Sequence, residues 1–140
     1  MNNYMEKIIK TIFFAAVLTM ACPLTAGGDI IGFWQPYSRT AQWLGSMTVA
    51  PDQLSFEAGP TAQLEPVRTG GSIFRITNAQ DDSYLECGGK PVNYVGFHVL
   101  DNGLLAFLHY RADAPPAEPT GRNSMEVIRN GACAVIFYAR

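Results

Sequence analysis

The sequence predicts an all-β fold, a single antiparallel barrel or barrel-like sandwich of about 8–10 short strands. Hydrophobic and polar residues alternate with a period of two in many short segments, and no stretch keeps a helical period for three turns. Turn-forming Gly, Pro, Asn and Asp separate these segments. Charged residues make up only 16% of the 140 residues, below the level usual for soluble domains, which favours an all-β or exported protein.

The predicted strands follow one another at close spacing. They cover residues 30–37, 43–49, 54–57, 63–68, 72–78, 84–87, 92–100, 104–112, 125–129 and 132–140. Residues 38–44 form at most a short helical turn. Two dipeptides, Asn102-Gly103 and Asn130-Gly131, lie between apolar runs, as two-residue type I′ hairpins require. Both are therefore predicted to be hairpin turns.

The Asn102-Gly103 hairpin determines which side chains of its two strands share a face. A two-residue turn would place Val95 and Tyr110 on an apolar face that belongs to the core. His98 and His109 would then lie on the outer face, within about 7–8 Å of each other. No carboxylate falls on that face, so a metal site would lack its third ligand. We expect a solvated polar face; an acid/base pair is the alternative.

Residues 1–26 have the three parts of a secretory signal, namely a basic start, an apolar stretch and small residues before a cleavage site after Ala26. The apolar run has about half of the ~20 residues that a membrane span needs, so we expect no transmembrane span in the mature chain. Cleavage after Ala21 would instead leave Cys22 for lipidation, which is less favoured because Thr19 replaces the Leu usual in lipoprotein signals. The prediction is a signal peptide at 1–26, a barrel domain at 27–140, and a periplasmic or secreted location.

Cleavage leaves two cysteines, Cys87 and Cys133. Two cysteines in an oxidising compartment allow one intramolecular pairing, which predicts a Cys87–Cys133 disulfide. The alternative, a metal site built on the two thiols, has no CxxC pair and no neighbouring histidine in its favour. We therefore predict neither a metal nor a cofactor.

Charge and motifs favour binding over catalysis. Ten basic and 12 acidic residues give a net charge of −2, which does not suit nucleic acid as a partner. The GxSxG and HExxH motifs of common hydrolases do not occur in the sequence. We predict that the protein is not an enzyme.

One segment, residues 113–123, contains three prolines and no strand pattern. It is longer than an ordinary hairpin connection, and its prolines stiffen it, which lowers the entropy lost on binding. We expect it to add little to the core and to be presented to a partner. Its predicted binding residues are Pro115, Pro116, Glu118 and Arg122.

Tyr37, at a strand end, is predicted to be exposed and to belong to the same binding surface, since Tyr is enriched in binding surfaces. Trp43 alternates with apolar residues and is expected in the core.

The segment Gly32-Phe33-Trp34 resembles the Gly-x-Trp that opens lipocalin-like (calycin) barrels, where the Trp closes one end of the barrel. Arginines late in the chain, Arg129 and Arg140, fit the same resemblance, which implies a carrier of a small apolar ligand.

The size and the single disulfide are also those of small inhibitors and immunity proteins. The leading hypothesis is an exported bacterial envelope protein that binds a protein partner, of the inhibitor or immunity type. The alternatives are the lipocalin-like carrier and a small envelope enzyme that uses His98 and His109.

Overall fold

A computed structural model describes residues 28–80 and 84–140, so the predicted signal peptide lies outside the described residues. A 3-10 turn, Gly28–Ile30, precedes the first strand. The other elements are β1 (Gly32–Pro36), α1 (Arg39–Leu44), β2 (Met47–Val49), β3 (Gln53–Phe56), β4 (Thr61–Pro66), β5 (Ile73–Ala79), β6 (Glu86–Cys87), β7 (Lys90–Pro91), β8 (Tyr94–Val99), β9 (Leu105–Tyr110), α2 (Ser124–Val127) and β10 (Ala134–Ala139). The predicted all-β class is confirmed.

Eight of the strands form a closed antiparallel barrel in the order β1-β10-β9-β8-β5-β4-β3-β2. Because each strand runs against its neighbour, the connections alternate between two ends of the barrel. The upper end carries the β1–β2, β3–β4, β5–β8 and β9–β10 connections. The lower end carries the β2–β3, β4–β5 and β8–β9 turns together with the 3-10 turn and Arg140. Closure pairs β1 with both β2 and β10, which removes the exposed sheet edges of an open sheet.

The β8–β9 hairpin has a different register from the predicted one. Phe97 pairs with Phe107 and Val95 pairs with His109, which is one residue away from the expected pairing. Of the turn residues, Gly103 alone has a positive φ, 84°, so the connection is a three-residue loop and not a type I′ turn. A shift of one residue moves every side chain of one strand to the opposite face. The predicted assignment of His109 to an outer face was therefore wrong.

The strand predicted at 125–129 was also wrong, because this segment is the helix α2. Asn123 caps it: its side-chain oxygen accepts a hydrogen bond from the Glu126 N–H, and its amide donates back to the Glu126 carboxylate. The Glu126 carboxylate also accepts from the Arg122 N–H, one residue before the cap, so the pair differs from a capping box, in which the carboxylate accepts from the N–H of the capping residue. The helical turn predicted near 38–44 is confirmed as α1, and it displaces the start of the next strand from residue 43 to Met47.

The core consists of two layers of apolar side chains, one inside the barrel and one on its outer face. Inside, the rings of Phe97 and Phe107 stack with centroids 5.2 Å apart, and Phe74 contacts Phe97 edge-on at 5.8 Å. The second layer lies outside β5, β8 and β9 and includes Ile73, Tyr94, Ala106, Leu108, Tyr110 and Val127. A chain segment therefore covers the outer face of these strands.

The predicted Cys87–Cys133 disulfide is confirmed, with the two Cα atoms 6.0 Å apart. It joins the small β6–β7 hairpin to the residue that precedes β10. Leu85 and Val92, which flank the hairpin, are buried in the barrel core, so the hairpin closes the upper end. Within the described ranges, no helix is long and apolar enough to cross a membrane.

Candidate functional site

The most exposed large apolar side chain on the described surface is Trp43, which is 84% exposed. Its predicted place in the core was wrong, because residues 43 and 44 belong to α1 and not to a strand. The helix turns Ala41 into the core, where it is fully buried, and leaves Trp43 pointing outward. An indole left in water has a large apolar area that a partner can still bury.

The helix that carries Trp43 is held to the barrel at both of its ends. The Ser38 hydroxyl oxygen accepts hydrogen bonds from the N–H groups of Ala41 (3.3 Å) and Phe137 (3.2 Å), which caps the helix and joins it to β10. At the other end, the Tyr138 hydroxyl donates to the Gly45 carbonyl oxygen at 3.2 Å. These bonds fix the backbone of the helix that carries Trp43 before any partner binds, so this backbone does not have to be ordered on binding.

Two further groups extend this surface. Tyr37 is 60% exposed directly before the helix cap, as predicted. Arg39 and Gln42 lie with Trp43 around a groove of about 370 Å³. We call the residues Tyr37, Arg39, Gln42 and Trp43 the α1 surface. It offers two aromatic rings, one guanidinium and one amide, a mixture typical of protein-binding hot spots.

The other predicted binding residues lie elsewhere, on the long connection between β9 and β10. Pro115 is exposed there and Pro116 is half-buried. The carboxylate of Glu118 is held by Ser72, and the carbonyl oxygen of Arg122 accepts a hydrogen bond from the Asp101 N–H. Ser72 and Asp101 belong to turns at the lower end of the barrel, whereas Tyr37 lies at the upper end. The structure therefore does not bring Tyr37 together with the proline-rich segment.

The two histidines are on opposite faces of the sheet. The His98 Nε2–H on the outer face donates to the Gly121 carbonyl oxygen at 2.7 Å. His109 points into the barrel, is 2% exposed, and packs edge-on against Phe107 with centroids 4.5 Å apart. The predicted outer pair does not exist, so it offers no shared acid/base or metal chemistry.

His109 is buried, and its ring packs against Phe107 with the Glu86 backbone nearby. Neither ring nitrogen has a hydrogen-bond partner among the described residues. Burial lowers the pKa of His109 from 6.5 to about 4, an effect that the nearby backbone of Glu86 opposes only in part. The imidazole is therefore neutral at pH 7, beneath the disulfide-linked hairpin that closes the upper end.

At the lower end, Trp34 is buried close to Arg140. Trp34 is 1% exposed, and its indole N–H donates to the Ile30 carbonyl oxygen at 2.8 Å. The Arg140 guanidinium lies 4.6 Å from the Trp34 ring centroid and donates to the carbonyl oxygen of Asp29. Together they close the lower end of the barrel. The described ranges contain no group of three potential metal ligands.

No family model, curated protein or solved structure matches this chain. The function is therefore argued from the geometry of the chain itself. The concave regions lined by described residues include ones of about 370, 300 and 170 Å³. The first lies on the α1 surface, where exposed aromatic area and a firmly held scaffold occur together. The α1 surface is the candidate binding site, and sequence reasoning found only its Tyr37.

Proposed function

We propose that this protein is an exported bacterial envelope protein that binds a protein partner, of the inhibitor or immunity type, through the α1 surface. The observation that carries the proposal is the exposure of Trp43 on a helix hydrogen-bonded to the barrel at both ends. An exposed Trp on a fixed helix has a large apolar area to bury, and the backbone that carries it does not have to be ordered on binding. Arg39, which lines the same groove, and Tyr37, directly before the helix cap, are also residue types enriched at the centres of protein interfaces.

Export is supported by residues 1–26, which read as a signal peptide. The Cys87–Cys133 disulfide is of the kind that persists in oxidising compartments, which include the periplasm and the extracellular space. Fractionation of cells that express the full chain, followed by mass spectrometry, tests this part. We expect mature protein beginning at Gly27 in the periplasmic or secreted fraction. A retained signal segment would refute export, and a lipidated Cys22 would instead indicate an anchored form.

The carrier is the second candidate, because the contacts of Trp34 with Ile30 and Arg140 agree with the calycin resemblance. A carrier needs a pocket of about 300 Å³ or more within the barrel. Interior positions along the described strands are filled by stacked and edge-on aromatic rings, including Phe97 and Phe107. This filling favours a protein partner over a small apolar ligand.

The prediction that the protein is not an enzyme stays a prediction, and the separation of His98 from His109 supports it.

The test is capture of partners from envelope extract on the immobilised mature protein, with quantitative mass spectrometry. A partner that uses the α1 surface should be retained at least tenfold less by Trp43→Ala, the scale expected for a hot-spot Trp. Met125→Ala is the matched control, since Met125 is also apolar and 63% exposed but lies on α2. Variants in Pro115 and Pro116 test the loop separately. Equal capture by the wild type and Trp43→Ala, with melting temperatures unchanged, would refute a role for the α1 surface.

A further inference from the structure

The connection between β9 and β10 runs along the outside of the barrel as a strap, residues 112–133. One end is fixed where Ala112 and Asn93 exchange two hydrogen bonds between backbone and side chain. The other end is fixed by the disulfide at Cys133, whose N–H also donates to the His109 carbonyl oxygen at 2.8 Å. Both ends lie at the upper end of the barrel. The strap is therefore a long loop with two firm attachment points.

The middle of the strap is attached to the lower end of the barrel by Glu118. Its carboxylate accepts hydrogen bonds from the Ser72 N–H (2.8 Å) and hydroxyl (2.7 Å), and pairs with the Arg68 guanidinium at 3.2 Å. Partial burial tends to raise the pKa of Glu118, but the hydrogen bonds from Ser72 and the charge of Arg68 outweigh it and lower the pKa. One side chain thus receives three contacts, all stronger when it is ionised.

The barrel leaves space for this carboxylate at Gly71. A Cβ added to Gly71 would lie 2.5 Å from the Glu118 Oε1 atom, so any larger residue would push the carboxylate away. The backbone of Gly71 is not in the left-handed region, so an alanine is allowed there conformationally. Because Gly71 has no side chain, the Glu118 carboxylate can lie close to the Gly71 backbone and bind the Ser72 N–H.

The outer face of β8 and β9 beneath the strap is apolar, with Tyr94, Leu108 and Tyr110 all buried. The Tyr110 hydroxyl has no hydrogen-bond partner among the described residues, and burial raises its pKa to about 12. The strap adds the buried Val127 to this layer, and its Pro119, next to Glu118 in the chain, is also buried. The contacts that join the strap to the lower-end turns at Ser72 and Asp101 are polar.

Two hydrogen bonds to backbone carbonyl oxygens of the strap support the Glu118 contact. The His98 imidazole donates to the Gly121 carbonyl oxygen, and the Asp101 N–H donates to the Arg122 carbonyl oxygen at 3.0 Å. Within the strap, the Asn130 side-chain amide accepts from the Thr120 N–H and donates to the Thr120 carbonyl oxygen, which ties the outgoing and returning limbs together. We therefore expect the two limbs of the strap to move together.

We propose that the strap is a hinged cover and that Glu118 is its latch. When Glu118 leaves Ser72 and Arg68, the tied limbs swing away about their two upper attachments and expose the apolar face of β8 and β9. The barrel stays closed, because its ring of eight strands does not include the strap. This conformational inference does not depend on the proposed binding function.

Hydrogen–deuterium exchange of the full mature protein, resolved by NMR, tests the latch. The reporter is the Asp101 amide, which donates into the strap but does not touch Glu118. In Glu118→Gln, and separately in Gly71→Ala, we expect Asp101 to exchange at least tenfold faster than in the wild type. The matched control Glu65→Gln removes an exposed carboxylate near Pro115 and should leave Asp101 unchanged.

Amides within β8 and β9 separate strap opening from general destabilisation. These strands pair with each other and belong to the ring, so their exchange should stay within about twofold of the wild type in both latch variants. Faster exchange at Asp101 with unchanged β8 and β9 amides supports the hinged cover. An unchanged Asp101 amide in either latch variant, or equal acceleration throughout the barrel, would overturn it.

Discussion

Acid should destabilise this protein through His109, and the size of the effect follows from its burial. A folded-state pKa of about 4 against 6.5 in the unfolded chain means that the unfolded state binds more protons between these pH values. The free energy of unfolding therefore falls as the pH drops below about 6.5, and this contribution is complete below about pH 4. Each pKa unit corresponds to about 1.4 kcal/mol, so the whole effect is about 3 kcal/mol.

The perturbation that isolates this effect is His109→Leu, which removes the buried titrating group. Urea unfolding at pH 7 and pH 4, followed by circular dichroism, gives the free energy of unfolding of each variant. The wild type should lose about 3 kcal/mol more than His109→Leu between these pH values. His98→Gln, which changes the outer histidine, should keep the acid sensitivity of His109. In the wild type, the His109 ring should titrate near pH 4 by NMR.

An equal loss of stability in the wild type and His109→Leu would refute this reasoning, because carboxylates common to both proteins would then account for all the acid sensitivity. So would a His109 ring that titrates near 6.5 in the folded protein, since the imidazole would then be in contact with water. The NMR titration needs only the wild type, so it decides the question even where the leucine variant packs poorly.

Three further predictions concern stability, each measured by urea unfolding at pH 7. Replacing Cys87 and Cys133 by Ala should cost roughly 4 kcal/mol in the chain-entropy model, because the disulfide closes a loop with a sequence separation of 46; a loss below about 1 kcal/mol would contradict it. Trp34→Ala should cost about 3–5 kcal/mol, since it leaves a cavity where a 1%-exposed indole closes the lower end; a mild effect would show that the lower end does not depend on this ring. Gly96→Ala should cost about 1–3 kcal/mol, because the new Cβ would lie 2.9 Å from the Ile73 Cδ1 atom. Unchanged stability would mean that the Ile73 side chain moves aside at no cost.

The α1 surface shows where local pattern reasoning fails. Trp43 alternates with apolar residues over 43–49, which is a strand pattern. Ser38 nevertheless starts a helix, because its hydroxyl caps that helix and also bonds to Phe137, a residue 99 positions away in the chain. The sequence predicted a helical turn at 38–44, but it also predicted a strand from residue 43, and the contact between Ser38 and Phe137 leaves no local sign. The exposure of Trp43 followed only from the tertiary structure, which ends the helix after Leu44.

The local sequence also does not determine which face His109 occupies or what Glu118 contacts. A single residue of loop length at Asn102-Gly103 decides which face His109 occupies, and both type I′ and three-residue turns accept this dipeptide. Likewise, the proline content of 113–123 indicates a stiff loop, but nothing local shows that Glu118 will meet Ser72 at a sequence separation of 46. The expectation that this loop adds little to the fold missed these contacts for that reason.

The sequence by itself determined the all-β class, the closely spaced strands and the Cys87–Cys133 pairing, because these depend on period-two alternation, turn residues and the count of cysteines. It also indicated the exposed Tyr37. The tertiary structure alone decided the register of β8 and β9, the helix at 124–127 and the latch at Glu118. Each of these depends on which of several locally acceptable conformations satisfies hydrogen bonds and burial across the closed barrel, and that choice is made between residues far apart in the chain.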